Sequence, residues 1–119
     1  MNKSETGHGP SVVLITSDRF GDGDDRLGEI LMKAFLNTLW DTESGPESII
    51  FINNGVKLTT QDSEVLDTLK LLEEAGVRLF SCGTCLDYYN LKEKLKVGQV
   101  TNMKATVSSL LASDRVISI

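Results

Sequence analysis

The sequence is poor in the residues that staple or activate small domains. It has two cysteines and one histidine in 119 residues. Cys82 and Cys85 stand three positions apart, so a bridge between them closes a tiny loop and stabilises little, and a disulfide scaffold is excluded. A zinc site needs about four ligands, and beyond this pair the only His, His8, lies in the polar segment before Pro10. That position also leaves no Cys–His dyad to assign. Basic residues are outnumbered, 12 against 17 acids, for a net charge of −5. Nucleic-acid phosphates need clustered Lys and Arg, so no nucleic-acid partner is expected. No apolar run approaches the ~18 residues of a membrane span, and residues 1–10 lack the apolar centre of a signal peptide. No membrane partner and a cytoplasmic location are therefore expected. There is no Walker A motif. Gly21-x-Gly23 fails the dinucleotide fingerprint, because Arg26 stands where the third Gly belongs. No cofactor and no metal is expected.

What is present is an ordinary globular composition, 40% hydrophobic and 24% charged, and a length suited to one domain. Residues 1–10 read as a flexible tail or linker, and residues 11–119 as the domain. Strands are expected at 12–16, 48–53, 77–81, 97–100 and 115–119, where short apolar, β-branched runs occur. Helices are expected at about 25–40, 61–75 (with Thr59-x-x-Asp62 as its cap and Gly76 as its stop), 86–95 and 103–111. The acidic run Asp22-Gly23-Asp24-Asp25 reads as a helix-start signal. This alternation predicts an α/β three-layer sandwich around a mostly parallel five-stranded sheet. In helix 25–40 the main apolar stripe is Leu27, Ile30, Leu31, Ala34, Phe35 and Leu39. Met32, Leu36 and Trp40 lie off it, and a surplus patch of that kind predicts a homo-oligomer.

Open α/β sheets bind ligands beyond the carboxyl ends of their strands. Here those ends are Ser17-Asp18-Arg19, Asn53-Asn54-Gly55, Ser81-Cys82 and Thr101-Asn102. Asp18, Arg19, Asn53, Asn54, Gly83, Thr84 and Asn102 are therefore the candidate substrate-binding residues around a catalytic pair, Cys82 and Cys85. Helix N-terminal amides favour thiolates, so a lowered thiol pKa is expected. Gly83 is expected to supply an unusual backbone and Thr84 a helix cap. Asp87 is expected to satisfy first-turn amides. One of Tyr88 and Tyr89 is expected to pack. Several readings of the pair remain: a persulfide or perselenide carrier with Cys85 resolving Cys82, a dithiol–disulfide cycle, half of a shared zinc site, or two buried thiols that only pack.

Five segments in order carry a family resemblance: VLITSDR, LGEILMKAF, FINNGVKL, SCGTCLDYY and VGQVTNM. They resemble the C-terminal domain of the YedF family, described as sulfurtransferase-like proteins of selenium metabolism. The resemblance covers residues 11–119 and implies a DsrE-like fold, usually oligomeric, and a cytoplasmic sulfur or selenium relay. It matches Cys82 to the relay cysteine after the third strand, with Cys85 a feature of the YedF branch. It also implies a TusA/SirA-like sulfur-carrier domain with a Cys-Pro-x-Pro site as partner. Such a domain is expected to have been removed or to be a separate chain, with Met1–Pro10 suiting an interdomain linker. The alternatives are a non-catalytic oligomeric binding subunit for a sulfur carrier and a thiol–disulfide oxidoreductase.

Overall fold

The computed structural model describes residues 10–119. The expected tail, with His8, lies outside the described residues except for Pro10, whose carbonyl accepts from the Asp114 amide at 2.9 Å. The elements run β1 (Ser11–Ile15), α1 (Asp25–Trp40), β2 (Ser48–Phe51), a 3-10 helix (Asn53–Thr59), α2 (Leu66–Glu74), β3 (Arg78–Cys82), α3 (Gly83–Tyr88), a 3-10 turn (Lys92–Lys94), β4 (Gln99–Thr101), α4 (Met103–Ala112) and β5 (Arg115–Ser118). The five strands form one sheet in the order β4-β3-β2-β1-β5, every pair parallel. The fold is the expected α/β sandwich, with helices on both faces of the sheet.

The order dictates the layers. From β1 to β4 each crossover steps the same way, and the last steps back past β1 to β5. With right-handed crossovers, α1, α2 and α3 fall on one face and α4 on the other. Strand alternation agrees: Val13, Ile15, Ile49, Phe51 and Leu79 enter the core with Leu36 of α1, Leu69 and Leu72 of α2 and Leu86 of α3. Val12 and Ile50 are also buried but point, by alternation, to the α4 side.

α1 starts as expected, with the Asp24 carboxylate accepting from the Leu27 amide at 2.9 Å. Its inward face differs from the expected one. Gly28, Met32 and Leu36 are buried, while Leu27, Ile30 and Leu31 are exposed. The cause is Gly28, where a Cβ would lie 2.8 Å from the Arg19 Cβ. The absent side chain lets the helix press against the 17–20 turn and rotates the 28-32-36 stripe inward. Trp40 is exposed, as expected.

Two helices are shorter than expected. α2 begins at Leu66, because the chain first forms a 3-10 helix and a turn with Asp62 at φ +77°. Thr59 caps nothing: it is fully buried, donates its hydroxyl to the Val56 carbonyl at 2.9 Å, and meets the Ser81 hydroxyl at 2.8 Å. α3 ends at Tyr88, with Asn90 turning left-handed at φ +58°, so the expected helix to residue 95 is broken.

Candidate functional site

The site is built where β3 runs directly into α3. Cys82 closes the strand, pairs in register with Thr101, and is the residue before the first helical turn. It is 5% exposed and belongs to the core. Gly83 is an ordinary helical residue and not one of the positive-φ glycines. The space beside it is tight instead: a Cβ there would lie 3.1 Å from Val100 Cγ1 and 3.4 Å from the Thr101 carbonyl. Thr84 is exposed and makes no cap.

Cys85, one turn on, is half-buried and lies close to Cys82. Its Sγ accepts from the main-chain N–H of Asn53 at 3.0 Å. Asn53 can aim that amide because it adopts φ +53°, a left-handed geometry that Asn tolerates better than most side chains. Its own Oδ1 accepts from the Tyr89 hydroxyl at 3.1 Å. Lys57 Nζ, in the same 3-10 helix as Asn53, sits 4.8 Å from the centre of the Tyr89 ring. The 3-10 helix is itself held close to the sheet, since a Cβ on Gly55 would come within 2.6 Å of the Ile15 carbonyl oxygen.

Burial pushes the Cys85 thiol above its ordinary pKa, and a hydrogen bond with Cys82 adds to this, outweighing the Asn53 amide that pulls the other way. For Cys85 the expected lowering is thus reversed. α3 has only six residues, too short a helix to offer a strong dipole against desolvation. Asp87 satisfies no first-turn amide; it pairs with Lys92 at 3.4 Å. The Lys92 ammonium also lies 3.8 Å from where a Gly83 Cβ would be, at the mouth of the thiol turn. Tyr88 is 80% exposed, and Tyr89 is the tyrosine that packs.

The remaining rim residues divide. Asn53 joins the thiols. Asn54 is half-buried in the same segment. Asn102 spends its side chain on α4, where Oδ1 caps the Ala105 amide at 2.8 Å. Arg19 faces Asp25, with Nε 3.7 Å from the carboxylate. Asp18 lines a cavity of about 500 Å³ that reaches Tyr89. Among the described residues no three His, Cys, Asp or Glu side chains stand close enough together to hold a metal ion. No described helix is long and apolar enough to cross a membrane. Sequence reasoning missed Lys57 and Lys92. Tyr89 had a usable signal, since it lies four residues after Cys85 and so returns to the same helical side.

Residues 13–119 match the family model described as DsrE/DsrF-like. No curated protein matches by sequence. Among solved structures, the ychN protein from E. coli superposes with a TM-score of 0.72 at 13% identity, covering 92% of this chain and 98% of that one. Protein MTH1491 from Methanobacterium thermoautotrophicum, a protein of unknown function, gives 0.68 at 21% identity, covering 93% and 100%. Protein BT1422 from Bacteroides thetaiotaomicron, also of unknown function by its description, gives 0.63 at 15% identity over 100% of each chain. At these identities the structures speak to the fold, and the family match to kinship: the chain belongs to the DsrE/DsrF-like family, which is associated in general with sulfur relay.

Proposed function

We propose that this domain relays sulfur or selenium through the Cys82–Cys85 pair. The observation that carries the reading is the pair itself: two neighbouring thiols at the carboxyl edge of the sheet, one of them hydrogen-bonded by the Asn53 amide at 3.0 Å. A thiolate of the pair attacks the outer sulfur of a donor persulfide. The donor S–S bond breaks, the donor leaves as a thiolate, and a cysteine persulfide remains. An acceptor thiolate can then take the outer sulfur with no net redox change. In the absence of an acceptor, the second cysteine attacks the inner sulfur, expels hydrosulfide and forms the Cys82–Cys85 disulfide, which an external dithiol must reduce.

The resemblance makes Cys82 the loaded thiol and Cys85 the resolver. The burial of Cys82 and the greater access of Cys85 favour the reverse order of entry. Asn53, Gly83 and Thr84 stand beside the thiols and are the residues proposed to meet the incoming group. The proposed partner is a TusA/SirA-like carrier, the proposed location the cytoplasm, and the proposed branch YedF.

The test is incubation with a persulfide or perselenide donor and mapping of adducts by mass spectrometry. The parent is expected to gain sulfur or selenium, and one of Cys82→Ser and Cys85→Ser to lose most of it, which also fixes the order of entry. If both single variants carry as much label as the parent, the relay reading fails. A second reading, a non-catalytic oligomeric binding subunit, is favoured by the raised pKa of Cys85. It predicts no label on either cysteine. A thiol–disulfide oxidoreductase predicts instead that a mild oxidant closes the Cys82–Cys85 bridge readily.

The chain is also proposed to form a homo-oligomer, though not through Met32 and Leu36, which are core residues. Exposed apolar residues include Leu27, Ile30, Leu31 and Trp40 on α1, and Met103, Val107 and Leu111 on α4. The α4 residues recur every four positions and so share one stripe.

A further inference from the structure

Asn53 is gripped at two points by one stretch of chain. Its main-chain N–H donates to Cys85 Sγ at 3.0 Å, and its Oδ1 accepts from the Tyr89 hydroxyl at 3.1 Å. Tyr89 follows the last residue of α3, and its own amide donates to the Cys85 carbonyl at 3.2 Å. One helical turn thus separates the two grips and fixes their spacing. The Tyr89 ring is held in turn from both sides of the site. Lys57 Nζ, on the 3-10 helix, lies 4.8 Å from its centre. The Tyr88 ring meets it edge-on with centroids 5.2 Å apart. Asn53 needs such a hold, because it is exposed and its φ of +53° is a region that residues other than glycine populate sparsely. The angle φ sets the peptide plane that carries the N–H against the Cα. Tying the side chain at Oδ1 restrains that angle and keeps the N–H on the sulfur.

We propose that Tyr89 is a positioning residue for Cys85: its hydroxyl holds Asn53 in the left-handed conformation that keeps the Asn53 amide on the Cys85 sulfur. Tyr89 acts through Asn53 and touches no reacting atom. A donor hydrogen bond to sulfur favours the thiolate, and here it works against the burial that keeps the Cys85 proton in place. Removing the tyrosine hydroxyl therefore makes Cys85 slower to ionise. The assignment stands whether the pair relays sulfur, closes a disulfide or does neither, and its test reads alkylation and no sulfur label.

The test follows iodoacetamide alkylation of Cys85 against pH in the full chain, with the modified sulfur assigned by fragmentation mass spectrometry. Tyr89→Phe keeps the ring and removes only the hydroxyl. It is expected to raise the half-maximum by about half a pH unit, which slows alkylation near neutral pH about threefold. Tyr88→Phe, at the neighbouring tyrosine that is 80% exposed, is expected to stay at the parent value. A merely structural role has the opposite sign, because a loosened α3 exposes Cys85 and lowers its half-maximum. Asn53→Gly removes the same hydrogen bond from the acceptor's side while tolerating the positive φ. It is expected to raise the half-maximum as well, and Tyr89→Phe to add nothing on top of it. The proposal is overturned if Tyr89→Phe leaves the half-maximum unchanged or lowers it, or if it shifts the Asn53→Gly chain as far as the parent. If Tyr89→Phe does not fold, Asn53→Gly decides alone, and an unchanged or lowered half-maximum there overturns the proposal.

Discussion

Cys85 holds its proton more tightly than a free thiol, first because burial penalises the thiolate and then because Cys82 bonds to it. Alkylation of Cys85 by iodoacetamide is therefore expected to rise across the alkaline range, with its half-maximum above the ordinary thiol value. A half-maximum at or below that value would contradict the assignment. The same shift has a sign for stability. The folded state binds this proton more tightly than the unfolded one, so the contribution is complete below the unfolded thiol's pKa and is lost as pH rises through the folded value. The parent's melting temperature should fall more between neutral and alkaline pH than that of Cys85→Ser, as thermal melts at several pH values would show. The meeting of the two cysteines and Asn53 was legible because strand ends in an open α/β sheet face one rim. The direction of the Cys85 shift was not legible, because it depends on burial, which spacing does not report. Nor was the diversion of Asn102 into a cap or of Arg19 toward Asp25, since both depend on contacts made only once the helices start.

α1 shows how a helix can be found and its face still misjudged. Its 3.6-residue pattern is strong enough to mark the element, and the Asp24 cap marks its start. The pattern fits two apolar stripes, however, and the choice between them rests on Gly28, which adds nothing to a hydrophobic count. Met32→Ala should cost about 2–5 kcal/mol, as buried truncations do, whereas Leu31→Ala should stay within about 0.5 kcal/mol, as exposed substitutions do. Urea denaturation of the two variants measures the difference; equal losses would mean that the helix presents another face. The strands were easier to read, because a strand buried on both sides needs an unbroken apolar run and β2 is one. The 3-10 helix was not read at all. Its seven residues lack a full helical period, yet it delivers Asn53 to Cys85 and Lys57 to the Tyr89 ring.

Over the whole molecule, the two faces of the sheet are unequally covered. Among the described residues, three helices close one side, while α4 alone covers the other and has Thr106 as its one buried residue. Met103, Val107 and Leu111 remain exposed, as do Val116 and Ile117 on β5. Val107→Asp combined with Leu111→Asp should convert the proposed oligomer to monomer in size-exclusion chromatography at micromolar concentration. If the parent already elutes as a monomer there, the oligomer proposal fails.

The place of β5 bears on how the protein is made. β1 lies between β2 and β5, and the chain behind it is fastened by the Thr16 hydroxyl to the Ile119 carbonyl, a closure spanning 103 residues. During synthesis β1 can pair with β2 early, but its other side stays an open edge until the last strand has left the ribosome. An unpaired strand edge invites pairing with other chains. Ribosome-bound intermediates ending before Arg115 are thus the species in which this domain most needs shielding by a chaperone.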